Sequence, residues 1–215
     1  MSAEAVEYPC ESEAPRPKPL LAEAEDLARQ LPGHRVEIIG GVITVSPSAD
    51  GAHGRVLTKL MRPLILAGLD DGDTEIIQAV GIWLPSGPQD FAIPDLAVVD
   101  VGFEDHHVAN NCYDPGYFRM VVEVTSSDYR ADLRRKVTAY ASARVPVYVI
   151  VDRQHQRLHV LTDPDGIAYS LHRTHAPGEL VTLPESLGVE VKLDVAALLE
   201  AGKPQLTDTQ QGSDA

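Results

Sequence analysis

The chain has 215 residues, a hydrophobic fraction of 44% and a formal net charge of −14. This length suits one folded domain with a tail at each end, and no apolar run of about 18 residues is present, which excludes a membrane-spanning helix. The acidic N-terminus lacks the apolar stretch of a secretory signal, so we expect a cytoplasmic protein. The negative charge disfavours tight, unaided binding of nucleic acid, which normally needs a basic surface.

Composition divides the chain into three parts. Residues 1–19 combine many glutamates with prolines at positions 15, 17 and 19, which is typical of a flexible leader. Residues 20–200 carry the periodic hydrophobic pattern of a folded domain, and the polar residues 201–215 form a predicted disordered tail.

Hydrophobic periodicity and turn residues predict the elements of this domain in chain order. They are a helix at 20–31, a two-stranded hairpin at 35–45, a helix at 50–68, strands at 75–84 and 96–101, a polar loop at 102–117, a strand at 119–125, a helix at 128–143, strands at 147–152, 156–162 and 167–172, and a helix at 195–201. Gly40-Gly41 marks the hairpin turn, Asp128 is a plausible helix cap, and Pro63 is expected to kink or shorten its helix.

The strands at 119–125 and 147–152, with the helix between them, have the order of a βαβ unit. Because other strands and helices precede and follow this unit, the sequence predicts an α/β fold with a mixed sheet flanked by helices.

Two acidic residues stand where a globular core would not normally place them. Asp95 follows Pro94 and opens the apolar strand Leu-Ala-Val-Val, and Glu123 lies in the middle of Met-Val-Val-Glu-Val-Thr. A carboxylate in such a run is costly to bury unless it is paired or binds a cation. We therefore predict that Asp95 and Glu123 bind Mg²⁺ or Mn²⁺, with the backbone carbonyl of Val124 as a further oxygen ligand.

The helix after Glu123 offers a basic partner. Asp132, Lys136 and Tyr140 are spaced by four residues and so share one helix face. A lysine beside two metal-binding carboxylates can orient an attacking water or balance the charge of a phosphodiester transition state. Lys136 is the candidate, and Asp132 and Tyr140 are candidates for supporting it.

The segment from Pro94-Asp95 to Glu123 resembles the core of PD-(D/E)XK nucleases. In their usual pattern a lysine lies two residues after the second acid, where this chain has Thr125. The segment VVEVTSSDYRADLRRKVTAYASARVPVYVIVD resembles more closely the signature of the Uma-two family of restriction-endonuclease-like proteins, in which the lysine has moved onto the helix, here to Lys136. The resemblance spans roughly residues 20–195 and implies a restriction-endonuclease-like fold, Mg²⁺ or Mn²⁺ as cofactor, and DNA as substrate.

The earlier segment VEIIGGVITVSPSADGAHGRVLTKL carries the rest of the resemblance and places two further candidates. Glu37 could be a third acid for a second metal position, although a strand glutamate usually faces solvent. His53 could join the site, although a histidine at a helix start is more often a surface or capping residue. Gln78 is a polar residue in an apolar strand and could also face the site.

Other polar groups are weaker candidates. His106 and His107 are adjacent in a polar loop and would rarely point the same way, so we do not expect them to bind a metal. Cys10 and Cys112 are too few for a disulfide framework or a zinc site.

Two classes of function remain open from the sequence. The first is a metal-dependent DNA endonuclease, expected to act as a homodimer whose two clefts address two strands. The second is a non-catalytic or regulatory relative that keeps the fold as a binding module. A nuclease acting on RNA or on a damaged structure is a third option. The nuclease hypothesis predicts carboxylate oxygens of Asp95 and Glu123 within about 5 Å, close enough to share one cation. It also predicts Lys136 Nζ within about 6 Å of one of them, a loose ion-pair or water-bridged reach.

Overall fold

The computed structural model of the protein describes residues 18–125 and 130–204, with side chains from residue 134 onward in the second stretch. Most of the predicted leader and tail, and the predicted cap Asp128, lie outside these residues. The three-part division of the chain therefore stays a prediction. In the described residues, none of the helices is both long and apolar enough to cross a membrane.

The described chain alternates helices with short strands, and their order follows the sequence prediction closely. The helices are α1 (Leu20–Gln30), α2 (Gly51–Leu66), α3 (Arg130–Ser142) and α4 (Val195–Ala201). The strands are β1 (Arg35–Ile39), β2 (Val42–Ser46), β3 (Thr74–Gln78), β4 (Gly81–Trp83), β5 (Phe91–Ala92), β6 (Leu96–Asp100), β7 (His107–Ala109), β8 (Cys112–Tyr113), β9 (Phe118–Val124), β10 (Val147–Asp152), β11 (Arg157–Pro164), β12 (Tyr169–His175), β13 (Leu180–Thr182) and β14 (Lys192–Asp194).

The strands form two large sheets and a small one. The first large sheet has the order β2-β1-β5-β4-β8-β7, the second has the order β12-β11-β10-β9-β6-β3, and β13 pairs with β14. Strands β9 and β10 run parallel, with α3 in the connection between them, while β9 pairs antiparallel with β6. The predicted α/β fold with mixed sheet and flanking helices is thus confirmed.

The central strands of the second large sheet are buried on both faces, which explains why they are almost continuously apolar. Val122 and Val124 face a core cluster shared with α2 and α4. Val121, on the opposite face of β9, packs in a second cluster that contains Tyr140 of α3 and Ile39 of β1. Because side chains alternate along a strand, Glu123 lies on the same face as Val121, toward α3 and β1.

Two of the predicted boundaries are wrong. The apolar run 75–84 is two strands, because the chain turns at Ala79, whose φ is 54°, and passes from the second sheet to the first. The run contains no proline or paired glycine that would signal this break.

The polar region 102–117 is more ordered than a loop, since it contains the β7–β8 hairpin, which turns through Asn110 and Asn111 at positive φ. Pro63 lies inside α2 and does not end it.

A buried carboxylate fixes the predicted hairpin turn between β1 and β2. Gly40 and Gly41 both have positive φ, and their backbone N–H groups donate to Asp90 over 2.7 and 3.1 Å. Ser86 Oγ donates to the same carboxylate over 2.7 Å. A Cβ on Gly87 would lie 2.7 Å from Asp90 Oδ1, so only glycine lets the carboxylate sit there.

Replacing Asp90 with alanine is expected to destabilise the fold by about 2–4 kcal/mol. The change removes the acceptor of two backbone N–H groups and one hydroxyl in a buried setting, and bonds to a charged acceptor are among the stronger ones. Urea unfolding measures the effect, with Asp71→Ala at an exposed position as the control. An equal, small loss in both variants would show that Asp90 does not hold the turn.

Candidate active site

Strand β1 contributes two charged side chains to the interior. Arg35 and Glu37 are two residues apart, so they project from the same face of the strand as Ile39, toward α3. Glu37 is 1% exposed, and its Oε1 accepts the backbone N–H of Ile93 over 2.7 Å. The side chain is therefore buried rather than facing solvent, which is the less common place for a strand glutamate.

Asp95 lies at the point where the chain enters β6, next to the centre of the second sheet. Its Oδ2 accepts the backbone N–H of Val124 over 2.7 Å, which ties it to the neighbouring strand β9. Its Oδ1 accepts a hydrogen bond from Arg35 Nη2 over 2.6 Å, and His53 Nε2 is 3.3 Å away. His53 reaches Asp95 from the first turn of α2, where Asp50 caps the helix by accepting the His53 backbone N–H.

Glu123, in the middle of β9, is held by two side chains of α3. Lys136 Nζ lies 2.8 Å from Glu123 Oε1, and the Tyr140 hydroxyl donates to the same oxygen over 2.8 Å. Lys136 Nζ also lies 3.0 Å from Glu37 Oε1, so one ammonium joins acids from β1 and β9. The predicted approach of Lys136 to an acid of the pair is confirmed.

The surroundings shift the pKa values of Asp95 and Glu123 in opposite directions. Burial alone would raise the pKa of Asp95, but the hydrogen bond from His53 and the charge of Arg35 outweigh it and lower the pKa to about 2. Burial is the largest influence on Glu123 and raises its pKa above the usual range; together with the charges of Asp95 and Glu37 it outweighs the opposing charges of Lys136 and Arg35. Asp95 is therefore the more strongly ionised of the two acids.

The pKa values of Lys136 and Tyr140 are also raised. Burial works to lower the pKa of Lys136, yet the charges of Glu123 and Glu37 raise it above its ordinary value, so the ammonium stays protonated. Burial and the nearby Glu123 carboxylate raise the pKa of Tyr140 well above its ordinary value, so its hydroxyl stays a neutral donor. The cluster contains three acids, Glu37, Asp95 and Glu123, and two permanent cations, Arg35 and Lys136. With all three acids ionised, one negative charge is therefore left without a neutralising cation.

The donor set of this cluster suits a hard divalent cation. Carboxylate oxygens are the ligands that Mg²⁺ and Mn²⁺ prefer, and Asp95 and Glu123 supply them from adjacent strands. Asp95 Oδ1 faces Arg35 and His53, and Glu123 Oε2 faces Arg35, while the other oxygen of each acid accepts hydrogen bonds from Val124 or from Lys136 and Tyr140. Among the described residues, no group of three or more His, Cys, Asp or Glu side chains is arranged so that it could hold a metal ion.

Not every predicted candidate joins this cluster. Gln78 pairs with Leu96 and lies on the opposite face of the sheet, where its exposed side chain donates to Met61 Sδ. Val124 contributes its N–H to Asp95, and a metal-binding role for its carbonyl stays a prediction. The side chain of Asp132 lies outside the described residues. The predicted distance between the Asp95 and Glu123 oxygens also stays a prediction.

The loop candidates lie elsewhere. His106 stacks on Tyr117, with ring centroids 3.9 Å apart, while His107 makes an edge contact with Tyr113. The two rings thus pack separately. Cys112 is a buried free thiol, and burial raises its pKa to about 12.

Sequence reasoning missed Arg35, which contacts both acids of the predicted pair. Its Nη2 lies 2.6 Å from Asp95 Oδ1, and its Nη1 lies 3.9 Å from Glu123 Oε2. The signal was its position two residues before Glu37, because a strand places both side chains on one face. That signal becomes informative only once Glu37 is known to face the interior.

A matched pair of tyrosines tests the hydrogen bond to Glu123. Tyr140 and Tyr148 are both fully buried, and their rings meet edge to face at 4.9 Å. The Tyr140 hydroxyl donates to Glu123, whereas the Tyr148 hydroxyl has no partner among the described residues. Tyr140→Phe is expected to cost about 1.5–3 kcal/mol, because it removes a hydrogen bond to a charged acceptor.

Tyr148→Phe is expected to be neutral or slightly stabilising, because it removes a buried hydroxyl that lacks a protein partner. Urea unfolding of the two variants gives both values under the same conditions. Equal losses in both would mean that the Tyr140 bond contributes nothing specific.

The chain resembles known proteins over most of its length. Residues 21–196 match the family model Uma2, described as "Putative restriction endonuclease". A similar solved structure is that of "a putative nuclease belonging to DUF820 from Anabaena variabilis ATCC 29413", with a TM-score of 0.63 at 16% identity, covering 83% of this chain and 98% of that one. At this identity the likeness concerns the fold. None of the curated proteins matches the chain.

Proposed function

The chain belongs to the Uma2 family of putative restriction endonucleases, and from that premise we propose that it is a divalent-metal-dependent endonuclease that hydrolyses phosphodiester bonds of DNA. The observation that carries the proposal is Glu123, a 7% exposed carboxylate in the middle of an apolar strand. A protein that only needed a core would place an apolar residue there, because a buried carboxylate costs several kcal/mol of desolvation (about 2–7 for a polar group).

In this proposal Asp95 and Glu123 hold one Mg²⁺ or Mn²⁺. Such a cation polarises a phosphodiester and lowers the pKa of a bound water, so that hydroxide is available near neutral pH. Lys136 and Tyr140 fix the Glu123 carboxylate by hydrogen bonds to Oε1, which leaves Oε2 for the cation. The Lys136 ammonium also places a permanent positive charge next to the carboxylates, where it favours the extra negative charge of the transition state.

Glu37 and His53 support this centre in different ways. Glu37 shares Lys136 with Glu123 and so keeps the ammonium between two strands. His53 Nε2 lies 3.3 Å from Asp95 Oδ1 and orients that carboxylate. We assign both to positioning, and we keep Glu37 as the candidate for a second metal position.

DNA as the substrate has to be reconciled with the net charge of −14. A bound divalent cation reverses the sign of the charge at the cleavage centre, which allows a phosphate to approach. A homodimer would present two centres to the two strands of a duplex. We propose this assembly as the form that acts on DNA, and size-exclusion chromatography with light scattering tests it.

One observation favours a second candidate, a non-catalytic binding module. Asp95 and Glu123 already have cationic side-chain partners in Arg35 and Lys136, so the cluster is largely neutralised without a metal. Such a cluster could serve the fold alone. The two candidates differ in what they predict for added metal.

Plasmid nicking and metal-dependent melting together test the proposal. With Mg²⁺ or Mn²⁺ the protein is expected to convert supercoiled plasmid to nicked and linear forms, and Mn²⁺ is expected to raise Tm because it binds the folded state. The same assay on single-stranded RNA separates the DNA substrate from the RNA alternative. The absence of both cleavage and any rise in Tm would contradict the nuclease proposal and favour the binding module.

A further inference from the structure

The side chain of Arg35 occupies the place where a cation would be expected. Its two terminal nitrogens contact the two acids of the proposed metal centre, Asp95 Oδ1 at 2.6 Å and Glu123 Oε2 at 3.9 Å. The remaining oxygens, Asp95 Oδ2 and Glu123 Oε1, are hydrogen-bonded to groups of β9 and α3. The oxygens that face Arg35 are therefore the ones best placed to take a metal ion.

A guanidinium and a divalent cation cannot both hold these oxygens at close range. Two positive charges sharing one pair of carboxylates would repel each other in a partly desolvated site. Arg35 remains charged throughout, since Asp95 and Glu123 raise its pKa above the ordinary value in spite of burial. Binding of a metal therefore requires that the guanidinium leave at least one of the two acids.

The displaced guanidinium has access to solvent. The Arg35 side chain is 24% exposed, so its terminal nitrogens could be hydrated outside the cluster rather than left in an apolar core.

We propose that Arg35 is a positioning residue that serves as an internal counter-ion, holding Asp95 and Glu123 in the metal-free protein and moving toward solvent when Mg²⁺ or Mn²⁺ binds. This inference rests on the proposed metal centre. It adds that Arg35 and the metal ion compete for the same carboxylate oxygens of Asp95 and Glu123.

Calorimetric titration with Mn²⁺ alone, without nucleic acid, tests the competition. Arg35→Gln is expected to bind Mn²⁺ about tenfold more tightly than the wild type, because the ion no longer has to break a charge-assisted hydrogen bond (~1.4 kcal/mol per tenfold). The gain should persist from low to high KCl, since a contact interaction is screened far less than a long-range one. Arg173→Gln removes a charge from an exposed position on β12 and should leave the affinity unchanged.

Arg35→Lys is the second variant and guards against misfolding of the glutamine variant. It keeps one positive charge but lacks the two-nitrogen fork that reaches both acids, so its Mn²⁺ affinity should fall between those of wild type and Arg35→Gln. Adding Asp95→Asn to Arg35→Gln should remove Mn²⁺ binding, which locates the ion.

The possible failures are distinguishable. If the wild type binds Mn²⁺ and the Arg35 variants bind it equally or more weakly, Arg35 does not compete with the metal and the inference is overturned, while the proposed function stands. If neither wild type nor variants bind Mn²⁺, the metal centre of the proposed function fails, and the role of Arg35 fails with it.

Discussion

Asp95→Asn is expected to abolish metal-dependent DNA cleavage, with a loss of about 10³-fold or more. The amide keeps the shape of the side chain but removes the charge that the cation needs, and much of the catalysis in such a centre comes from electrostatic stabilisation. Asp95 is the more strongly ionised acid of the pair, since His53 and Arg35 lower its pKa to about 2. Losing this residue removes a carboxylate ligand that stays ionised at neutral pH.

The measurements are the initial rate of plasmid nicking and the rise of Tm with Mn²⁺, and both should disappear in Asp95→Asn. Asp100→Asn is the matched control, because Asp100 lies at the other end of the same strand β6 and pairs with Arg119 away from the cluster. It should retain cleavage and the Mn²⁺ effect. Cleavage that survives in Asp95→Asn would show that the active centre lies elsewhere.

Lys136→Met is expected to lower both stability and activity. The change leaves the buried acids Glu123 and Glu37 without the ammonium that lies 2.8 and 3.0 Å from them, and breaking a buried ion pair from one side costs about 3–5 kcal/mol. Activity at a temperature where the variant is still folded should fall by about 10²-fold or more, because a preorganised positive charge beside the phosphate is lost.

Urea unfolding and nicking rates measure these two effects separately. Lys59→Met on the exposed side of α2 is the control, and it should change neither. The double variant Lys136→Met/Glu37→Gln should regain part of the stability, since one unpaired carboxylate is removed, without regaining activity. A stability loss below about 1 kcal/mol would mean that the ion pairs of Lys136 are worth no more than surface pairs.

The Asp95 and Lys136 variants test different properties of the same cluster. Asp95 tests whether the cluster binds a cation, and Lys136 tests whether the cluster has a permanent charge that both the fold and the chemistry use. A non-catalytic module would show the stability loss of Lys136→Met without any metal-dependent activity to lose. The pair of results therefore separates the nuclease from a protein that keeps these residues for the fold alone.

Most of the secondary structure followed from local sequence. The hairpin at Gly40-Gly41, the buried strands β9 and β10, and the helix between them were readable because turn glycines and apolar periodicity are local signals. The break at Ala79 was not readable, because its cause is the change of partner from one sheet to the other. The sequence did not reveal the short strands β5, β13 and β14 for a different reason. Two or three residues are too few to show a hydrophobic pattern.

The sequence by itself identified Asp95 and Glu123 as carboxylates whose burial needs a compensating charge or cation. Lys136 was added by the family pattern. Only the tertiary structure decided which partners they have. Arg35 and Glu37 reach the cluster because β1, in the other sheet, faces α3, and Gln78 is excluded because its register places it on the opposite face. Burial of a charge is a cost that a single residue reveals, whereas its compensation depends on groups that are distant in sequence and meet only when the sheets pack.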